Sequence, residues 1–179
     1  TANQFFMICE DQGIDYDKVR MAMTDGYERA AQLPSAGFAA GPCLLKDTMQ
    51  ISSFNQGGFL LGHSSMMINE GLPNFIVNQM KAKYKLNKRK VGILGMAFKA
   101  NVDDVRDSLS FKLLKILKFN GAMVLCSDEF AQNPEFISKE ELVSKCETII
   151  IGAPHSSYEK LQIPPDVEVI DIWKLLPTK

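Results

Sequence analysis

From Lys90 onward, short apolar runs alternate with stretches of helical periodicity, and few architectures satisfy that alternation. Residues 90–94 read as a short strand. Leu109, Leu113, Leu114, Ile116 and Leu117 then recur on one helical face, with Lys112, Lys115 and Lys118 opposite. Residues 123–126 make a second strand, 140–145 a short helix, 148–152 a third strand and 167–172 a fourth. Strands separated by helices predict a parallel sheet covered on both faces, with ligands at the strand C-terminal ends. Three segments occupy those ends: 95–106, Ser127-Asp128, and 153–157. Gly92 and Gly95 do not have the spacing of a dinucleotide fingerprint, and the loop before the next helix is too long for that tight turn. Lys99 and Arg106 instead offer separate positive charges to phosphates, Ser108 is placed to cap the following helix, and Asp128 reads first as a turn residue.

The half before Lys90 is patterned as helices. An amphipathic helix is under way from Thr1 with no capping residue ahead of it, which predicts a chain cut inside a helix, and it ends near Gln12-Gly13. Asp15 caps a second helix through about residue 23, and 24–35 is a polar connection carrying Arg29. A long helical segment covers about 64–84, where Gly71 and Pro73 predict a kink or break; His63 falls just before it. The basic run Lys81, Lys83, Lys85, Lys88, Arg89 and Lys90 reads as a solvated linker. A domain boundary is placed there, giving a helical unit at 1–86 and a Rossmann-like α/β unit at 87–179.

Between the helices lies a small-residue loop, Gly37-Phe38-Ala39-Ala40-Gly41-Pro42, which delivers Cys43 to the start of a helix. Little side-chain bulk stands in front of the thiol, so a ligand can lie against bare backbone. A thiol at a helix N-terminus meets unpaired N–H groups that favour its thiolate, and Lys46 adds to the effect. Asp47, one turn on, is in position to act as acid, base or water-holder. The structural alternative is a buried cysteine that packs as a small hydrophobe.

Gly41-Pro42-Cys43-Leu44-Leu45-Lys46-Asp47 with its Gly/Ala-rich lead-in resembles the nucleophile loop of the UDP-glucose and GDP-mannose dehydrogenase family. A second signature, Gly95-Met96-Ala97-Phe98-Lys99 followed by Asp103-Asp104-Val105-Arg106-Asp107-Ser108, resembles the entry to that family's C-terminal nucleotide-binding domain. One departure is Ala40-Gly41, where the family often has Gly-Gly. The resemblance implies an NAD-dependent enzyme that oxidises a nucleotide sugar at C6 to a uronate for polysaccharide biosynthesis. Cys43 would be its nucleophile and Asp47 would orient the hydrolytic water. Phe38, Ala39, Ala40, Gly41, Phe98 and Lys99 would bind substrate, and Lys46 and Arg106 would lie near NAD. Arg29 would reach the substrate of a neighbouring subunit in a homodimer. The family's lysine and asparagine that stabilise the oxyanion would precede Thr1, as would an N-terminal NAD-binding domain, so the isolated chain is expected to be inactive.

Other classes are constrained by the totals. A net charge of -1 over 179 residues gives no general attraction to nucleic acid or anionic membranes, and no apolar run reaches a transmembrane length. Cys9, Cys43, Cys126 and Cys146 have neither metal-ligand nor disulfide-framework spacing, which predicts a reducing cytoplasm. Two alternatives stay open at this point. One is a nucleotide-sugar-binding and dimerising module with an idle thiol; the other is a thiol hydrolase that pairs Cys43 with His63 or His155.

Overall fold

The computed structural model describes residues 1–177. In chain order the elements are α1 (Ala2–Asp11), α2 (Tyr16–Thr24), a 3-10 turn (Glu28–Ala30), α3 (Leu44–Phe54) and α4 (Leu60–Lys83). They continue with β1 (Lys90–Leu94), α5 (Leu109–Phe119), β2 (Met123–Ser127), α6 (Lys139–Lys145), β3 (Thr148–Ile151), a 3-10 turn (Ser156–Tyr158) and β4 (Glu168–Ile170). All strands are parallel, in the order β2-β1-β3-β4, so the chain is an α/β fold with helices leading into a Rossmann-like sheet.

Alternation along β1 sets the two layers. Val91 and Ile93 pack with Leu109, Leu113 and Leu117 of α5 and with Leu72, Ile76 and Met80 of α4. Leu94, with Ile149 and Ile151 of β3, faces Leu142 and Val143 of α6. The first layer is therefore shared: α4 and α5 bury their apolar faces against each other and against the sheet, which fixes the helical segment relative to the strand ends.

Local signals start the helices where the sequence places them. Asp15 accepts from the Asp17 N–H, Ser108 from the Ser110 N–H and Ser138 from the Glu141 N–H. α3 begins at Leu44, immediately after the cysteine, as expected. Two expectations change. α4 begins at Leu60, which puts His63 inside the helix. α4 also runs unbroken through Gly71 and Pro73. Pro73 gives up one backbone hydrogen bond, but it is buried together with Leu72, Ile76 and Val77, and that packing outweighs the local defect. No helix of the described residues is long and apolar enough to cross a membrane.

The basic run is not a solvated linker: Lys81 and Lys83 belong to α4, Lys90 begins β1, and Arg89 between them is packed. Its guanidinium lies 3.8 Å from the Tyr84 ring centroid, its Nε–H donates to Thr148 Oγ1 at 2.9 Å, and Glu147 and Glu168 each lie 3.6 Å away. Arg89→Ala is expected to cost about 2–3 kcal/mol in urea unfolding, because the buried Thr148 hydroxyl loses its donor and the stacking is lost. Arg89→Lys, which lacks the planar fork, should recover less than half of that.

Candidate active site

Cys43 is the N-cap of α3 and its side chain is exposed. No side chain caps this helix, and the Leu44 N–H is bonded to the Gly41 carbonyl at 3.4 Å. Asp47 follows one turn later, its N–H bonded to the Cys43 carbonyl at 2.9 Å, and its carboxylate lies 3.3 Å from Lys46 Nζ. Both side chains are more than half exposed, so the pair is free to part for a ligand.

The loop ahead of the thiol is clamped from three directions. Asn3 of α1 donates to the Gly37 carbonyl at 2.8 Å and accepts from the Gly37 N–H at 2.9 Å. Asn69 of α4 accepts from Asn3 at 3.0 Å and donates to the Ala39 carbonyl. Trp173 covers Gly37 so closely that a Cβ there would fall 2.2 Å from the indole, and its Nε1–H donates to the Gly152 carbonyl at 3.3 Å. The cysteine loop is thereby tied to the end of β3. None of these partners was anticipated, although Asn69 had a signal: it is polar at helical spacing from buried Met66 and Leu72.

Across from the thiol stands the loop that follows β1. A Cβ at Gly41, where φ is +130°, would lie 3.2 Å from the Phe98 ring, so the ring rests on this glycine. Lys99 Nζ is 5.6 Å from the same ring and exposed. Between the two loops opens a cleft of about 460 Å³, walled by Ala39, Ala40, Gly41 and Leu44 on one side and by Val105, Asp107 and Ser108 on the other. Its floor is crossed by the Lys112–Glu70 pair at 3.1 Å. Arg106 is exposed and bonded through its Nε and Nη2 to Asp104, which draws the Asp104 carboxyl down to about 2. The Asp104 carboxylate in turn raises the pKa of Arg106.

Thus Ala39, Ala40 and Gly41 line one cleft and Phe98 rests on Gly41, while Cys43, Lys99 and Arg106 are next in the chain to lining or ring-contact residues but do not themselves line it. Phe38 departs from expectation: it is 2% exposed, and its ring belongs to the core, so it braces the loop and offers no side-chain surface to a ligand. Arg29 is exposed in the 3-10 turn and forms no part of the cleft wall. Toward NAD, Lys46 and Arg106 fit as two exposed cations for a phosphate edge. They do not amount to a cradle, since Ser108 closes the N-terminus of α5 and a long loop precedes it.

The hydrolase alternative loses its base. Both ring nitrogens of His155 are engaged, by the Asn101 N–H and by Asp128, and the ring is fully buried. His63 lies seven residues before Glu70 on α4, about 10 Å along the axis from the cleft. The thiols also differ from one another: burial pushes Cys126 and Cys146 up to about 11. That shift, from 9.0, cuts their thiolate fraction about 100-fold at neutral pH. Iodoacetamide at pH 7.5 is therefore expected to label Cys43 first and the two buried thiols at least about 100-fold more slowly, as read by peptide mass spectrometry.

Comparison with known proteins gives a consistent set. Residues 92–177 match the model of the UDP binding domain of the UDP-glucose/GDP-mannose dehydrogenase family. The chain is 30% identical over 163 residues to the UDP-N-acetyl-D-mannosamine dehydrogenase of Methanocaldococcus jannaschii, covering 88% of this chain and 37% of that protein. The corresponding enzyme of Methanococcus maripaludis is 26% identical over 168 residues, covering 90% of this chain and 38% of that protein. In structure, a UDP-glucose dehydrogenase from the hyperthermophilic archaeon Pyrobaculum islandicum matches with a TM-score of 0.83 at 26% identity, over 95% of this chain and 43% of that one. The chain thus spans well under half the length of the relatives it matches.

Proposed function

Because this chain belongs to the UDP-glucose/GDP-mannose dehydrogenase family, we propose that it is the substrate-side half of an NAD-dependent enzyme that oxidises C6 of a UDP-sugar to a carboxylate. The observation that carries the reading is the shared cleft, in which the Cys43 loop and the loop after β1 meet. The nucleotide is assigned to Phe98 and Lys99, with the sugar lying over Ala39–Gly41 toward Cys43. In this reading residues 1–86 are the dimerising unit and 87–179 the nucleotide-binding unit. The exposed apolar face of α3 and α4, with Ile51, Phe54, Leu60 and Leu61, supports a second copy of the chain as partner, to which Arg29 would reach. Free cysteines support a cytoplasmic location in this reading.

Each step of the chemistry matches a residue type on the page. NAD, when bound, supplies the acceptor for the two hydrides that the oxidation releases. Loss of a hydride and the hydroxyl proton turns the C6 alcohol into an aldehyde. The Cys43 thiolate adds to the aldehyde carbon, and the carbonyl oxygen takes up a proton to give a thiohemiacetal. Loss of a second hydride with that proton leaves a thioester. Water, oriented by Asp47, then attacks the acyl carbon, the C–S bond breaks, and carboxylate, thiolate and protons are released. A helix N-terminus such as the start of α3 is the setting in which an anionic sulfur is favoured at both its entry and its departure.

The test uses the chain as it stands. Calorimetric titration should show UDP binding, with GDP competing poorly, and Lys99→Ala should weaken UDP about tenfold through the lost phosphate contact. Incubation with NAD and either UDP-glucose or UDP-N-acetyl-D-mannosamine should produce no NADH, since in this reading only Lys46 and Arg106 of the described residues are assigned to NAD. Sustained turnover would overturn the assignment of the NAD cradle to another part of the enzyme. Absence of UDP binding would overturn the function itself.

A further inference from the structure

A buried polar pair at the ends of β2 and β3 has no part in the chemistry above. The side chains of Asp128 and His155 are both fully buried, with Asp128 Oδ2 3.1 Å from His155 Nε2. The same oxygen accepts from the Met96 and Ala97 N–H groups at 2.6 and 2.9 Å, and Oδ1 accepts from Phe130 and Ala131, both at 2.8 Å. On the other side of the ring, His155 Nδ1 is 2.8 Å from the Asn101 backbone N–H. A backbone amide can only donate, so Nδ1 is unprotonated and the ring proton sits on Nε2, donated to Asp128. Asn101 is itself in the left-handed region, at φ +56°, and its Oδ1 accepts from the Ser156 N–H at 3.1 Å and hydroxyl at 3.2 Å.

The loop after β1 is thus fastened at Met96-Ala97 to the end of β2 and at Asn101 to the end of β3. Between the fastenings lie only Phe98, Lys99 and Ala100. Ser108 adds a third tie, its hydroxyl donating to the Ala97 carbonyl at 3.2 Å.

We propose that His155 and Asp128 are positioning residues for the nucleotide site, holding Phe98 and Lys99 at the cleft through a single imidazole tautomer while touching no ligand themselves. This rests on the assignment of Phe98 and Lys99 to the nucleotide. The imidazole is the joint of the device, because among the described residues it is the side chain bonded both to the β2 end, through the Asp128 carboxylate, and to the turn at Asn101. Phe130, at 4.9 Å between centroids, and Tyr158, at 5.3 Å, pack on the ring. Glutamine carries an acceptor and a donor at a spacing close to that of the two ring nitrogens, whereas leucine fills the space and carries neither.

Amide hydrogen exchange and UDP calorimetry on the wild type, His155→Leu and His155→Gln test this. His155→Leu is expected to speed exchange across residues 96–101 about tenfold or more and to weaken UDP about tenfold, and His155→Gln to recover most of both. A leucine variant with wild-type exchange and affinity would overturn the proposal. So would a glutamine variant as impaired as leucine. Should the leucine variant not fold, 15N shifts of the wild-type imidazole decide: a proton on Nδ1 overturns the joint. A wild-type chain that binds no UDP defeats the functional reading instead, and leaves His155 a structural strut wherever the exchange pattern holds.

Discussion

In an enzyme assembled around this chain, Cys43→Ser is expected to lower uronate formation by about 10³-fold or more while leaving UDP affinity unchanged. The proposed sequence asks one atom to add to an aldehyde and later to leave an acyl carbon. Sulfur does both near neutral pH because its thiolate is accessible and is a good leaving group, whereas a serine hydroxyl stays protonated without a strong base beside it. Among the described residues near position 43 no such base is poised: the Asp47 carboxylate lies against Lys46, and neither histidine reaches the site. The affinity arm separates this from a folding defect, since Phe98 and Lys99 belong to the loop after β1 and not to the cysteine's own loop and helix. NADH release and direct detection of the uronate are the readouts. Retention of more than about a tenth of the activity would exclude a covalent role for Cys43.

Gly95→Ala should be the most damaging single methyl in the described chain. At φ +91° the new side chain is strained, and its Cβ would lie 2.5 Å from the Ala153 nitrogen and 2.6 Å from the Ala153 oxygen. These are backbone atoms, so no rotamer change relieves the clash. The ends of β1 and β3 would have to separate, opening the floor beneath the loop that carries Phe98. About 1–2 kcal/mol of conformational strain and about 3 kcal/mol of overpacking together approach the whole stability of a small domain. Urea unfolding should therefore show a loss of about 4–5 kcal/mol, or no cooperative transition. Gly26→Ala is the control: its φ of +64° imposes similar strain with nothing within 4 Å, and it should cost only about 1–2 kcal/mol. Equal costs at the two positions would show that the close approach of the strands contributes nothing.

Much of this molecule was legible from local pattern. The strand-helix alternation after Lys90 places all four strands within about two residues of their ends, and the caps at Asp15 and Ser108 start their helices as expected. These signals act over a single helical turn or the pleat of one strand, so the information is complete within a few neighbouring residues. The cysteine at a helix start was legible for the same reason. Pro73 misled, because its cost is local while the burial that overrides it comes from other elements.

What the chain alone decided, then, is the identity of its elements, the placing of a bare thiol before a helix, and the two motifs that resemble one enzyme family. Tertiary structure decided which groups meet. Asn3 holds Gly37 from 34 residues away, His155 holds Asn101 from 54, and Phe98 comes to rest on Gly41. It also turned Phe38 into core, and to the turn bonds that Asp128 makes with Phe130 and Ala131 it added three more, with Met96, Ala97 and His155. Periodicity tells a side chain whether to face inward but not what it will find there. Hydrogen-bond partners far apart in the chain are chosen only when α4, α5 and the sheet bury their common apolar face and bring the loop ends together.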